Sequence, residues 1–153
     1  MDKLMDTSVS SQILVSQEIS KFVASAGLCS KCRVEDYKLE IIDWYELMDI
    51  LIAPSEDEGF GRNLVEAIER RTYVIASNSG GHPEIITSNK FGKLVCVGDK
   101  KQYVIEIRKF MQIPDKREIL SGPVRMELTE KYNPLKIAGS VSSQYNQLVN
   151  QQW

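Results

Sequence analysis

Two glutamates eight residues apart, Glu58 and Glu66, bracket the stretch GFGRN, and a second glycine pair, Gly80 and Gly81, follows in NSGGHPE. A carboxylate accepts hydrogen bonds and repels phosphate, so both acids suit hydroxyl groups rather than an anion. Gly59 and Gly61 meet a different need. Backbone without a Cβ turns sharply and comes close to a ligand, and the helix that follows offers free N–H groups to an anion. Gly80 and Gly81 repeat the arrangement before the next helix. Two helix N-termini facing one crevice suit a diphosphate, with Glu58 in the loop and Glu66 one turn into the helix gripping hydroxyl-bearing parts on either side of it.

Loops of this kind need a rigid edge to stand on. DILIAP, TYVIAS and KLVCV are short runs rich in Ile and Val, continuous rather than alternating, as strands covered on both faces should be. Between the first two, RNLVEAIERR carries Leu64, Val65, Ala67 and Ile68 on a helical period; between the second and third, Pro83 marks the start of a short helix. Strand, helix, strand, helix, strand predicts an α/β fold with a parallel sheet and right-handed crossovers, the loops lying outside the carboxyl ends of the strands. Upstream, residues 10 to 26 read as one amphipathic helix stopped by Gly27, Arg33 to Lys38 as a short strand, and Leu39 to Leu47 as a second helix. Downstream, helices are expected over Tyr103 to Met111, Asp115 to Lys131 and Leu135 to Val149, the run KKQ after Asp99 being a solvated helix start. The organisation is a single domain: an N-terminal portion over 1–48, a β-α-β-α-β core over 49–99 and C-terminal helices over 100–153.

Each of these residues has a plainer reading. Arg62 and Arg70 lie four residues to either side of Glu66 and could form exposed helix pairs with it. Glu58 stands beside Glu56 and Asp57 in what could be solvated charge, and the glycines could be ordinary turn residues. His82 either caps a short helix or meets a ligand; Phe60 packs locally or lines the site. Trp44 and Tyr45 read as core or interface rather than as base-stacking residues.

The bulk composition narrows the classes. The 153 residues are 42% hydrophobic and 26% charged, with a formal charge of -2, which excludes a polyanion-binding footprint and so nucleic acid as a partner. The apolar runs are too short to span a bilayer, and no secretory signal opens the chain. Cys29, Cys32 and Cys96 are odd in number, which favours free thiols in a reducing, cytoplasmic compartment. A zinc site would have to recruit all three with His82, and C-x-x-C could instead be a redox pair; the residues flanking it support neither.

Glu58-Gly59-Phe60-Gly61, then Glu66-Ala67, Val74-Ile75-Ala76-Ser77 and Gly80-Gly81-His82-Pro83-Glu84, resemble the donor-binding half of retaining glycosyltransferases of the GT-B fold, family four or group 1. The likeness runs from about Ile50 to Gly98, and TEKYNPLKIAGSVSSQYNQLV is similar to that family's closing helices. It implies a Rossmann-like parallel sheet flanked by helices, one half of a GT-B enzyme. It also implies transfer of a glycosyl group from a nucleotide diphosphate sugar to a glycan, lipid-linked or small-molecule acceptor, with retained configuration and without a bound metal or other cofactor. In that pattern Glu58 belongs to the catalytic centre and meets hydroxyls of the transferred sugar, while Glu66 meets the ribose. Gly59, Phe60, Gly61, Arg62, Gly80, Gly81 and His82 surround the donor.

The chain also departs from the family. It holds no acceptor-binding N-terminal domain, so it is expected to be inactive alone; a donor-binding or interaction module is the alternative. The family's basic diphosphate clamp has no obvious counterpart, with Arg62 the nearest substitute and Arg33 and Lys38 weaker ones. A half enzyme is expected to expose apolar surface and self-associate, Tyr145 to Trp153 being the candidate face, and to sit in the cytoplasm or at the inner face of a membrane.

Overall fold

The computed structural model describes residues 7–35, 40–114, 116, 120 and 122–150, and the chain divides into two compact units, Met1–Leu39 and Glu40–Trp153. In the first, α1 runs from Thr7 to Ser25. It ends as the glycine requires: Gly27 takes φ 68, the Leu28 N–H donates to Val23 O across 3.0 Å and the Gly27 N–H to Ala24 O across 3.1 Å. The strand expected from Arg33 does not form over 33–35, and its remainder lies outside the described residues. Arg33 pairs with Glu35, two residues on.

In the second unit α2 (Ile42–Leu47) leads into β1 (Ile50–Ala53), α3 (Arg62–Glu69), β2 (Tyr73–Ser77), α4 (His82–Ile85) and β3 (Gly92–Val95). Leu39, the expected start of α2, lies outside the described residues. The sheet is parallel in the order β1-β2-β3, with Ala53 opposite Ala76 and Ala76 opposite Leu94. Side chains alternate across β2. Val74 and Ala76 join Leu64, Ala67, Ile68, Ile85, Leu120 and Leu128 on one face, whereas Ile75 meets Val95 and Tyr103 on the other. Coverage of both faces holds for β2; Ile52 on β1 remains 41% exposed.

Three helices close the chain: α5 (Lys100–Met111), α6 (Gly122–Lys131) and α7 (Pro134–Asn150). Asp99 caps α5 by accepting from the Gln102 N–H at 2.9 Å. The helix expected from Asp115 is formed over Gly122–Lys131; Lys116 and Leu120 lie in turns, and 115, 117–119 and 121 lie outside the described residues. Pro123 stands in the first turn of α6, where its ring is tolerated. No described helix is long and apolar enough to cross a membrane.

α3 stops without a glycine. The Thr72 N–H donates to Ala67 O at 2.9 Å and the Arg71 N–H to Ile68 O at 3.0 Å, which leaves Arg71 at φ 63 in the left-handed position that glycine usually fills. Thr72 then donates its hydroxyl to Tyr45 O, tying the end of α2 to the start of β2.

Candidate functional site

The loops after β1 and β2 lie against each other backbone to backbone. The Gly81 N–H donates to Glu58 O at 3.2 Å, Ser79 Oγ donates to Glu56 O and Ser77 Oγ to Ser55 O. A Cβ on Gly80 would stand 1.7 Å from Glu58 O, and one on Gly81 2.5 Å from Phe60 O. The second glycine pair therefore serves loop against loop, a need invisible in the local pattern. Gly59 differs, since a Cβ there would meet nothing within 4 Å.

Gly61, at φ 84, is the residue before α3 and supplies no side-chain cap. The Leu64 N–H donates back to Gly61 O at 2.9 Å, while the Arg62 and Asn63 amides, in the first turn, have no intrahelical acceptor. They form the positive end of the α3 dipole. Arg62 adds an exposed guanidinium at the same place.

Beneath Gly61 lies His82, wholly buried. Its Nδ1 is 3.0 Å from Ser77 O and 3.2 Å from Ser77 Oγ, which places the ring proton on Nδ1, donated to Ser77. Nε2 has no partner. A Cβ on Gly61 would come within 2.8 Å of Cδ2 of this ring, so the imidazole occupies the room that only a glycine leaves.

The two acids occupy different settings. Glu58 sits half-buried in the first loop, its carbonyl committed to Gly81. Glu66 projects from the second turn of α3, where Oε2 accepts from the Tyr45 hydroxyl at 3.4 Å and Oε1 lies 3.7 Å from Arg62 Nη2. Arg70 does not join it; that guanidinium pairs with Glu46 at 2.9 Å. Burial first, then the Glu66 charge and its hydrogen bond, push the Tyr45 phenol above its ordinary pKa.

Two aromatic residues were not among the expected site positions. Tyr45 is core, as its sequence setting implies, yet its hydroxyl also holds Glu66. Tyr132, the residue after α6, meets the Phe60 ring edge-on with centroids 5.3 Å apart and donates to Glu84 O at 2.8 Å. Lys131 Nζ donates to the same carbonyl at 2.7 Å. No local signal links positions 60 and 132; only the return of α6 to the loops does.

Gly59, Phe60, Gly61, Arg62, Gly80, Gly81 and His82 thus form one cluster with Glu58, and Glu66 lies one turn along α3 beside Tyr45. Lys38 lies outside the described residues. A cavity of about 740 Å³ lined by Pro123, Arg125, Met126 and Glu130 runs along α6, and no residue of the glycine loops lines it. The three thiols are free and exposed, and among the described residues no group of His, Cys, Asp and Glu could hold a metal ion.

The family model for glycosyl transferases group 1 matches residues 15–122. The lipopolysaccharide core biosynthesis mannosyltransferase LpcC of Rhizobium leguminosarum bv. viciae is 32% identical over 92 residues, which are 60% of this chain and 26% of that protein. The crystal structure of the C-terminal domain of a glycosyl transferase group 1 family protein (LpcC) from Francisella tularensis shares 26% identity with a TM-score of 0.63, over 79% of this chain and 63% of that one. Anabaena Alr3699/HepE in complex with UDP-glucose has a TM-score of 0.76 at 17% identity, over 86% of this chain and 36% of that one, a likeness of fold. The Rossmann-like parallel sheet flanked by helices is that of the GT-B glycosyltransferases. The chain belongs to the glycosyl transferases group 1 family.

Proposed function

We propose that, within this family, the chain is the nucleotide-sugar-binding part of a retaining glycosyltransferase, which transfers a glycosyl group from a nucleotide diphosphate sugar to an acceptor held by the rest of the enzyme. The observation that carries the reading is the uncapped start of α3. Left-handed Gly61 leaves the Arg62 and Asn63 amides free for a diphosphate, one helical turn from a carboxylate already oriented by Tyr45.

The division of labour follows from charge. The α3 amides and Arg62 stabilise the negative charge that grows on the departing diphosphate, and because they are fixed before the reaction they need no reorganisation. Glu66 accepts from ribose hydroxyls, and Glu58 from hydroxyls of the transferred sugar. Gly59, Phe60, Gly80 and Gly81 shape the loop walls around them. The chain spans 26% of the length of the LpcC mannosyltransferase; we propose that acceptor recognition comes from another part of the assembled enzyme and that transfer needs it. We place that enzyme in the cytoplasm or at the inner membrane face, and infer self-association of the isolated chain through the exposed face of α7.

Calorimetric titration with UDP, GDP and ADP and a sugar conjugate of each, without metal and then with magnesium, tests the reading. Uptake of one nucleotide, weakened by Glu66→Ala, supports it and names the base; a folded chain that takes up none contradicts it. The same titration decides whether a metal contributes.

A further inference from the structure

We infer that His82 is the positioning residue of this pocket: its imidazole fixes the left-handed turn at Gly61 from below and so aims the free amides of α3 at the donor. The inference rests on the donor-binding reading above. Three observations support it.

The first is position. His82 is the chain's one histidine and is wholly buried in a place where an aliphatic side chain would pack at no polar cost. The second is restraint. Nδ1–H is shared between the carbonyl and hydroxyl oxygens of Ser77, and the Ser77 hydroxyl in turn donates to Ser55 O in the first loop. The end of β2, the imidazole and the first loop are therefore one hydrogen-bonded chain, and the ring has one orientation. The third is complementarity. The ring edge lies where any Gly61 side chain would be, within 2.8 Å of a Cβ at Cδ2 and 3.3 Å at Nε2, so ring and turn fit only each other.

The unpartnered Nε2 sharpens the point. A buried acceptor with no partner is destabilising, and a merely structural residue would be expected to avoid it. Here that atom faces the turn whose backbone must meet the diphosphate. Movement of the turn on binding changes its surroundings directly, which makes the ring both a support and a reporter.

The test uses the full chain with His82→Leu and His82→Asn. Leucine keeps the bulk and loses the Nδ1 donor; asparagine restores an N–H able to reach Ser77 O. Affinity for the nucleotide that the wild type takes up should fall on the order of tenfold in the leucine variant, as loss of one buried hydrogen bond implies, and recover to within about threefold with asparagine. Leucine and wild-type proteins binding that nucleotide equally would overturn the inference and leave the donor reading intact. A folded wild type that binds no nucleotide would remove both. Nitrogen NMR of the wild type needs no variant, because a single histidine gives a single ring system. The proton should be found on Nδ1, and the Nε2 resonance should move at saturating nucleotide; an unmoved resonance would refute the inference even if neither variant folded.

Discussion

The hydroxyl of Tyr45 on α2 donates to Oε2 of Glu66 on α3 across 3.4 Å, and the rest of the Tyr45 side chain is sealed in the core. The carboxylate proposed to meet the ribose is therefore oriented by a residue that cannot swing away. Tyr45→Phe keeps the ring and removes only the donor. Stability should change by less than about 1.5 kcal/mol, the worth of one such bond, while nucleotide affinity falls several-fold. Unaltered affinity in calorimetry would show that Glu66 needs no help from Tyr45.

The same phenol predicts a pH dependence. Burial, then Glu66, holds the Tyr45 pKa above its ordinary value in the folded state. The associated stability is complete below the unfolded value of about 10 and is lost as pH rises through the folded one. Denaturant midpoints of the wild type should therefore fall above about pH 10, and Tyr45→Phe should fall less steeply. A residual slope is expected from Tyr73, raised by burial and then by Glu106. Parallel curves for the two proteins would contradict the assignment.

Gly80 and Gly59 should behave oppositely although both are loop glycines. Gly80→Ala drives a Cβ to 1.7 Å from Glu58 O, and the loop must yield at a cost on the order of 3 kcal/mol or more. Gly59→Ala meets open space and should stay within about 1 kcal/mol of the wild type. Thermal melts of the two variants decide it; equal loss at both positions would mean the loops are not packed as described.

Arg71 closes α3 in a conformation that costs a non-glycine residue about 1 kcal/mol or more. Arg71→Gly should be neutral or stabilising by up to about 1 kcal/mol, and Arg71→Val destabilising by a similar or larger amount. Chemical denaturation measures both. A clearly less stable glycine variant would reveal an interaction of the arginine side chain that outweighs its backbone strain.

No residue of α7 is buried, and Ile137, Val141, Tyr145 and Leu148 recur along it at helical spacing. Sedimentation should show concentration-dependent self-association of the isolated chain, reduced by Val141→Asp with no change in unfolding temperature. A monomer at every concentration would remove α7 as an association face.

Much of this molecule is written locally. Continuous Ile and Val runs with a helix between them are enough to specify β1, α3 and β2; β2, covered on both faces, has no polar side to show, whereas β1 keeps Ile52 exposed, and Gly27 terminates α1 through its own left-handed geometry. Glu58, Gly61 and Glu66 could be singled out for the same reason, since loop, helix start and helix turn are set by neighbours in the chain. Pro123 marks the first turn of α6 in the same local way. Tertiary structure decided the remainder. Gly80 and Gly81 are required by a loop more than twenty residues upstream, Tyr45 reaches Glu66 from another helix, Tyr132 returns from α6 to Phe60, and His82 turns inward beneath Gly61. Each of these is a contact between segments distant in sequence, where periodicity and turn chemistry act only on near neighbours; close packing brings such segments together and determines which atoms meet.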